Sequence, residues 1–131
     1  MKAVLDALRN IGGVRMAALV MKDGVPVVCS GADPALEADA LGALAAGYLR
    51  ELEQAATALS LPTPRRAFVG ATRGSVYVHN LESGLLVVLV DSGAPLEQVG
   101  PALDAAVTRL TRRTERTTAT LTHIDQGRGA A

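Results

Sequence analysis

Eight blocks of sequence, each with its own apolar period, are separated by turn signals, and their order restricts the fold more than any single motif does. Val4, Leu5, Leu8 and Ile11 recur at helical spacing and stop at Gly12-Gly13, glycine being the residue that most readily closes a helix. Val14 to Met21 is apolar at nearly every position, as expected of a strand covered on both faces and set inside a sheet. Asp23-Gly24 offers the positive φ of a tight turn, and Val25 to Ser30 reads as the return strand. Pro26 lacks an N–H, which assigns that strand to a sheet edge.

A long helix follows, with Asp33 as its N-cap and Pro34 in its first turn, running to about Leu59 before Pro62 and Pro64 end it. Arg66 to Ala71, Ser75 to Asn80 and Leu85 to Val90 read as three strands. Their turns, Arg73-Gly74 and Glu82-Ser83-Gly84, are too short for anything but antiparallel neighbours. A last helical region begins at Ala94-Pro95 and carries the stripe Leu96, Val99, Leu103, Ala106, Val107 and Leu110. Pro101 falls inside it, so a short turn over Pro95 to Gly100 is expected before the main helix. The order αββαβββα predicts an α/β sandwich: a five-stranded antiparallel sheet with helices on both faces.

The length of 131 residues suits one domain with a real core. Its expected extent is residues 1–113. Residues 114–131 form a tail in which threonine, a weak helix former, competes with a 3.5-residue stripe (Val107, Leu110, Thr114, Thr117, Leu121, Ile124), and fraying or disorder is expected there. The apolar runs Met16 to Met21 and Leu85 to Val90 fall far short of the roughly 20 residues that span a bilayer. The first eleven residues carry Asp6 and Arg9 and do not read as a secretory signal, so a cytoplasmic protein without membrane insertion is expected. Thirteen basic residues balance thirteen acidic ones, and Tyr48, Phe68 and Tyr77 are the only aromatics. Neither a basic field nor a stacking platform for nucleic acid is present.

Catalytic and metal chemistry finds little support. Cys29 is the single cysteine and, in an apolar strand, reads as a buried inert thiol. His79 and His123 are too scattered to build a metal site with it, and His79 reads as a surface or hydrogen-bonded residue. No nucleophile elbow or phosphate loop occurs, and Gly12-Gly13 precedes a strand rather than a helix. Arg109, Arg112, Arg113 and Arg116 gather where cations complement a helix C-terminus. No catalytic residue, cofactor or metal is expected.

The long second helix carries more apolar surface than one contact needs. At 100° per residue, Leu41, Leu44, Ala45, Tyr48, Leu52, Ala55 and Leu59 fall in a stripe about 100° wide, enough to pack on the chain's own sheet. Beside it lie the small residues Ala38, Gly42, Ala46, Leu49 and Ala56, extending the arc to about 200°. Small residues permit close approach, so this second arc is expected to meet a twin helix in a homodimer. Ala67, Phe68 and Val69 form an apolar strand that needs cover if it is an edge, and pairing with the twin supplies it. Asp39, Ala43, Arg50, Gln54 and Thr57 then remain exposed as a partner-binding row.

The ordered whole resembles the Roadblock/dynein light-chain family over about Val4 to Leu110. The resemblance rests on Gly12-Gly13-Val14, the run Ala17 to Val28 with its Lys22-Asp23-Gly24 turn, the alanine-rich second helix, Gly84 to Val90, and the closing helix to Leu110. It implies a profilin-like fold and dimers formed through the second helix and third strand. Bacterial members of the MglB kind regulate a small Ras-like GTPase, which implies a non-enzymatic homodimeric regulator of such a partner. A scaffold or adaptor subunit of a larger signalling or motor-linked complex is the alternative, and a small-ligand sensor is a third reading.

Overall fold

The computed structural model describes residues 2–31, 35–95 and 97–112. The expected cap at Asp33-Pro34, Leu96, Arg113, Arg116, His123 and the tail 114–131 lie outside them. Helix α1 (Lys2–Arg9) leads into β1 (Val14–Val20) and β2 (Pro26–Gly31). Helix α2 (Ala35–Ala58) separates that hairpin from β3 (Arg66–Ala71), β4 (Gly74–Asn80) and β5 (Leu85–Asp91). A last helix, α3, covers 97–112.

The strands form one antiparallel sheet in the order β2-β1-β5-β4-β3. The β1–β5 pair joins the β1–β2 hairpin to the β3–β4–β5 meander, placing the mainly apolar β1 and β5 inside and leaving β2 and β3 as edges. Pro26 thus sits on an edge, as its missing donor requires. Alternation divides the side chains between two cores. Met16, Ala18, Val20, Val76, Val78, Leu85 and Val87 point to α2. Ala17, Leu19, Leu86, Val88 and Val90 point to the opposite face, where α1 supplies Val4, Leu5 and Leu8 and α3 supplies Val99, Leu103, Ala106 and Leu110. Val14 joins this second core although it is two residues from Met16, because the β1–β5 register shifts between them.

Three expectations are corrected. Pro101 lies within α3 rather than at its start, since α3 is continuous over 97–112. Burying Val99 and Leu103 against the sheet, worth about 1.5–3 kcal/mol each, outweighs the backbone bond that proline removes. Cys29 is exposed, not buried. It sits across from Ala18 and so on the α2 face of the sheet, but α2 leaves the edge strand β2 uncovered there. His79 is buried at 6% exposure, and its ring makes no hydrogen bond among the described residues. Neighbours on β4 alternate, so His79 and Tyr77 share the α3 face while Val76 and Val78 take the α2 face.

Candidate functional site

Helix α2 buries the second of the two arcs read from its sequence and only part of the first. Ala38, Gly42, Ala46, Leu49 and Ala56, expected to meet a twin, are buried within the chain itself. Ala38, Ala46 and Leu49 pack with Leu41 and Ala45 onto the inner strands. The reason is close approach to the chain's own backbone: a Cβ at Gly42 would lie 2.3 Å from the carbonyl oxygen of Gly24, in the β1–β2 turn. That turn in turn requires Gly24, whose φ is +97°. Of the stripe expected to face the sheet, Leu41 and Ala45 do so and Tyr48 and Leu52 are half-buried, but Leu44 is 48% and Leu59 69% exposed, and Ala55 is exposed as well.

The β1–β2 turn meets α2 at Gly42, Ala43 and Ala46. Helical spacing puts Leu44, Tyr48, Leu52, Ala55 and Leu59 on the opposite shoulder, toward the β3 end of the sheet. Strand β3 keeps a regular register with β4 from Arg66 to Ala71, and its other side is open. The amide of Asn80 donates to the carbonyl of Arg65 at 2.7 Å. Antiparallel alternation then turns the backbone groups of Arg66, Phe68 and Gly70 outward, free to pair with another strand. Ala67 and Val69 are half-buried on the α2 side, and Phe68 is 51% exposed on the other. An open apolar edge thus runs beside an open apolar helix shoulder.

All five residues of the expected partner-binding row, Asp39, Ala43, Arg50, Gln54 and Thr57, are exposed. The structure brings Arg50, Gln54 and Thr57 together with Glu53 around a wide shallow depression of about 410 Å³. Asp39 and Ala43 lie up the same helix on the side of the β1–β2 turn. That hairpin adds surface the sequence reading missed: Met21, Val25 and Val27 are about half exposed. Met21 and Val25 lie in the β1–β2 connection and Val27 on the edge strand β2, and the edge-marking Pro26 was the available signal.

On the opposite face, Arg66 Nη1 lies 3.5 Å from Asp104 Oδ1, with both side chains well exposed. Burial holds the His79 imidazole below the usual histidine pKa; the nearby Asp104 carboxylate raises it and the Arg66 guanidinium lowers it further. Arg109 and Arg112 are exposed in the C-terminal part of the described stretch of α3. Among the described residues, no three His, Cys, Asp or Glu side chains gather as a metal site. No helix among them is long and apolar enough to cross a membrane.

The fold has close counterparts among solved structures. MglB of Myxococcus xanthus superposes with a TM-score of 0.79 at 23% identity, covering 87% of this chain and 94% of its own. The gliding protein MglB of Thermus thermophilus gives 0.77 at 26% identity, covering 88% of each chain. Profilin II of Acanthamoeba castellanii gives 0.58 at 14%, covering 81% of this chain and 94% of its own, so the expected profilin-like sandwich is the observed one. No curated protein sequence matches the chain. The Roadblock/LC7 domain profile matches residues 1–90. The chain belongs to the Roadblock/LC7 family.

Proposed function

We propose that this protein is a non-enzymatic homodimer that binds and regulates a small Ras-like GTPase. The observation that carries the dimer is the pair of open surfaces on one side of the molecule: the Leu44, Tyr48, Leu52, Ala55, Leu59 shoulder and the free edge of β3, where Ala67, Phe68 and Val69 lie and the backbone groups of Arg66, Phe68 and Gly70 point outward. Pairing two β3 edges extends the sheet and satisfies both. Packing the α2 shoulders together buries leucines that one chain leaves in water. Ala38, Gly42, Ala46, Leu49 and Ala56 of the inner face take part only indirectly, by fixing where α2 sits.

The Roadblock/LC7 fold, shared with MglB proteins, supports a regulatory role. The partner surface is the other shoulder of α2, with Arg50, Gln54 and Thr57 around the depression and the Val25–Val27 hairpin beside it. A polar row next to a modest apolar patch suits a transient contact. Regulation then works by holding the partner's mobile segments in one arrangement.

Calorimetry of the chain against each small Ras-like GTPase of its source organism, loaded with GDP or a non-hydrolysable GTP analogue, tests the reading. Binding tighter than about 100 µM, roughly −5.5 kcal/mol, with preference for the GTP form, is the expected result. Failure of every candidate would replace this reading with a scaffold or adaptor subunit of a larger complex. Light scattering that finds a monomer at micromolar concentration would remove the dimer.

A further inference from the structure

The sheet face opposite α2 holds a cavity of about 230 Å³ between the β3–β4 hairpin and α3. Its walls gather residue types that the chain otherwise scarcely has. Phe68 and Tyr77 are two of its three aromatic residues, and both line the cavity. Their rings meet with centroids 5.0 Å apart and planes at 60°. His79, one of two histidines, lines it too. That ring is 6% exposed and, among the described residues, has no hydrogen-bond partner. Neither ring nitrogen is among the sealed side-chain atoms left without a partner, so the imidazole keeps contact with the space it lines and presents a donor and an acceptor there. Leu103 and the exposed Arg66–Asp104 pair complete the lining.

We propose that this cavity is a binding site for a phenol-class group, one aromatic ring bearing a hydroxyl, with the ring against Phe68, Tyr77 and Leu103 and the hydroxyl on the imidazole of His79. Size sets the ring count. An apolar cavity of about 150 Å³ accommodates benzene, and the larger volume here leaves space for a hydroxyl and a methyl group. The aromatic pair favours a third ring, through edge and offset contacts. The polar head follows from the imidazole: neutral, it has one donor and one acceptor nitrogen, and a hydroxyl matches either. Burial keeps that ring uncharged at neutral pH, so the interior offers an anion no charge, while the nearby Arg66 is already paired with Asp104. This site lies on the other sheet face from the GTPase proposal, and it shares Ala67 and Phe68 with the β3 edge of the homodimer proposal.

Gly70 supplies a way to alter the cavity without touching its polar group. A Cβ there would come within 2.9 Å of Phe68 Cε1, so Gly70→Ala forces that ring to move. The chain's single phenylalanine, two tyrosines and two histidines make its aromatic NMR spectrum simple to assign. Titration of the full chain with p-cresol is expected to shift Phe68, Tyr77 and His79 signals saturably, with a Kd of a few millimolar or tighter. Toluene, which lacks the hydroxyl, is expected to bind about fivefold more weakly, the worth of one net hydrogen bond. His79→Phe should erase the difference between the two ligands, and Gly70→Ala should weaken both. Should His79→Phe fail to fold, the comparison on the unaltered chain decides alone. An acetylated, amidated Gly-Tyr-Gly peptide distinguishes the source. Tighter binding than p-cresol assigns the group to a partner's tyrosine, and weaker binding to a free small molecule. No saturable shift up to about 10 mM p-cresol, or equal affinity for toluene, overturns the proposal.

Discussion

Gly42 and Gly47 lie less than two turns apart on α2 and meet opposite surroundings. A Cβ at Gly42 would collide with the Gly24 carbonyl, whereas one at Gly47 would find nothing within 4 Å. The difference separates the helix into a side fitted to its own chain and a side left for something else. On the fitted side, small residues bring the helix close to the β1–β2 turn and the inner strands. On the free side, Leu44 and Leu59 are larger than any residue that close approach to the turn would tolerate. Leu41 and Leu49 are buried on the fitted side too, so small size marks only the positions that meet the β1–β2 turn, not the whole sheet-facing side.

The sharpest way to break this division is to enlarge Gly42. Gly42→Ala gains about 1 kcal/mol in helix propensity but drives a methyl into backbone, and overpacking of that kind costs about 1–3 kcal/mol. A net loss is expected. Gly42→Leu should lose about 3 kcal/mol or more, lowering the melting temperature by roughly 10 °C or more. A variant that unfolds normally but dissociates would instead place Gly42 at the subunit contact, as the sequence alone implies.

Charging the free side should do the reverse. Leu44→Glu with Leu59→Glu leaves the buried face untouched, so each chain should keep its fold by circular dichroism. Carboxylates forced into an apolar contact without partners cost several kcal/mol, so the dimer should weaken at least about 100-fold by sedimentation. Val27→Glu, equally exposed but on the β2 edge, serves as the control and should leave the dimer intact.

These two outcomes also measure how far the sequence could be read. The element order was legible because turns and period are local: the glycine stop of α1, the Asp23-Gly24 turn and Pro26 each act through their own backbone. β3 was bounded at Arg66–Ala71 by flanking arginines and turn residues, as observed. The roles of the α2 arcs were not legible, because both are apolar and the choice depends on where the β1–β2 turn lands. Cys29 was misjudged for the same reason, since an apolar strand is buried only if a helix reaches it. The cluster of Phe68, Tyr77 and His79 needs the β3–β4 register, which pairs Phe68 with Tyr77 across the hairpin. Two aromatics nine residues apart on either side of the Arg73-Gly74 turn were the available signal.

A smaller effect is expected where α2 meets its partner. Arg50→Ala with Gln54→Ala removes two polar side chains from the rim of the shallow depression. Net hydrogen bonds contribute about 0.5–1.5 kcal/mol each, so the GTPase should bind about 10-fold more weakly while the dimer stays unchanged. Loss of the dimer in this variant would merge the two shoulders into one surface and remove the division between self-contact and partner contact.

The smallest expected effect comes from the other glycine. Gly47 is exposed within α2, and open space surrounds the position of its missing side chain. Glycine inside a helix costs roughly 0.8–1 kcal/mol relative to alanine, chiefly because the unfolded chain is freer. Nothing in the structure offsets that cost, so Gly47→Ala should raise stability by about that amount. The gain should appear in the urea midpoint at fixed protein concentration with the slope unchanged, since no surface burial is altered. A loss instead of a gain would mean that another chain packs at Gly47 as closely as the β1–β2 turn packs at Gly42. The subunit contact would then extend around the outer side of the helix rather than stop at the Leu44–Leu59 shoulder.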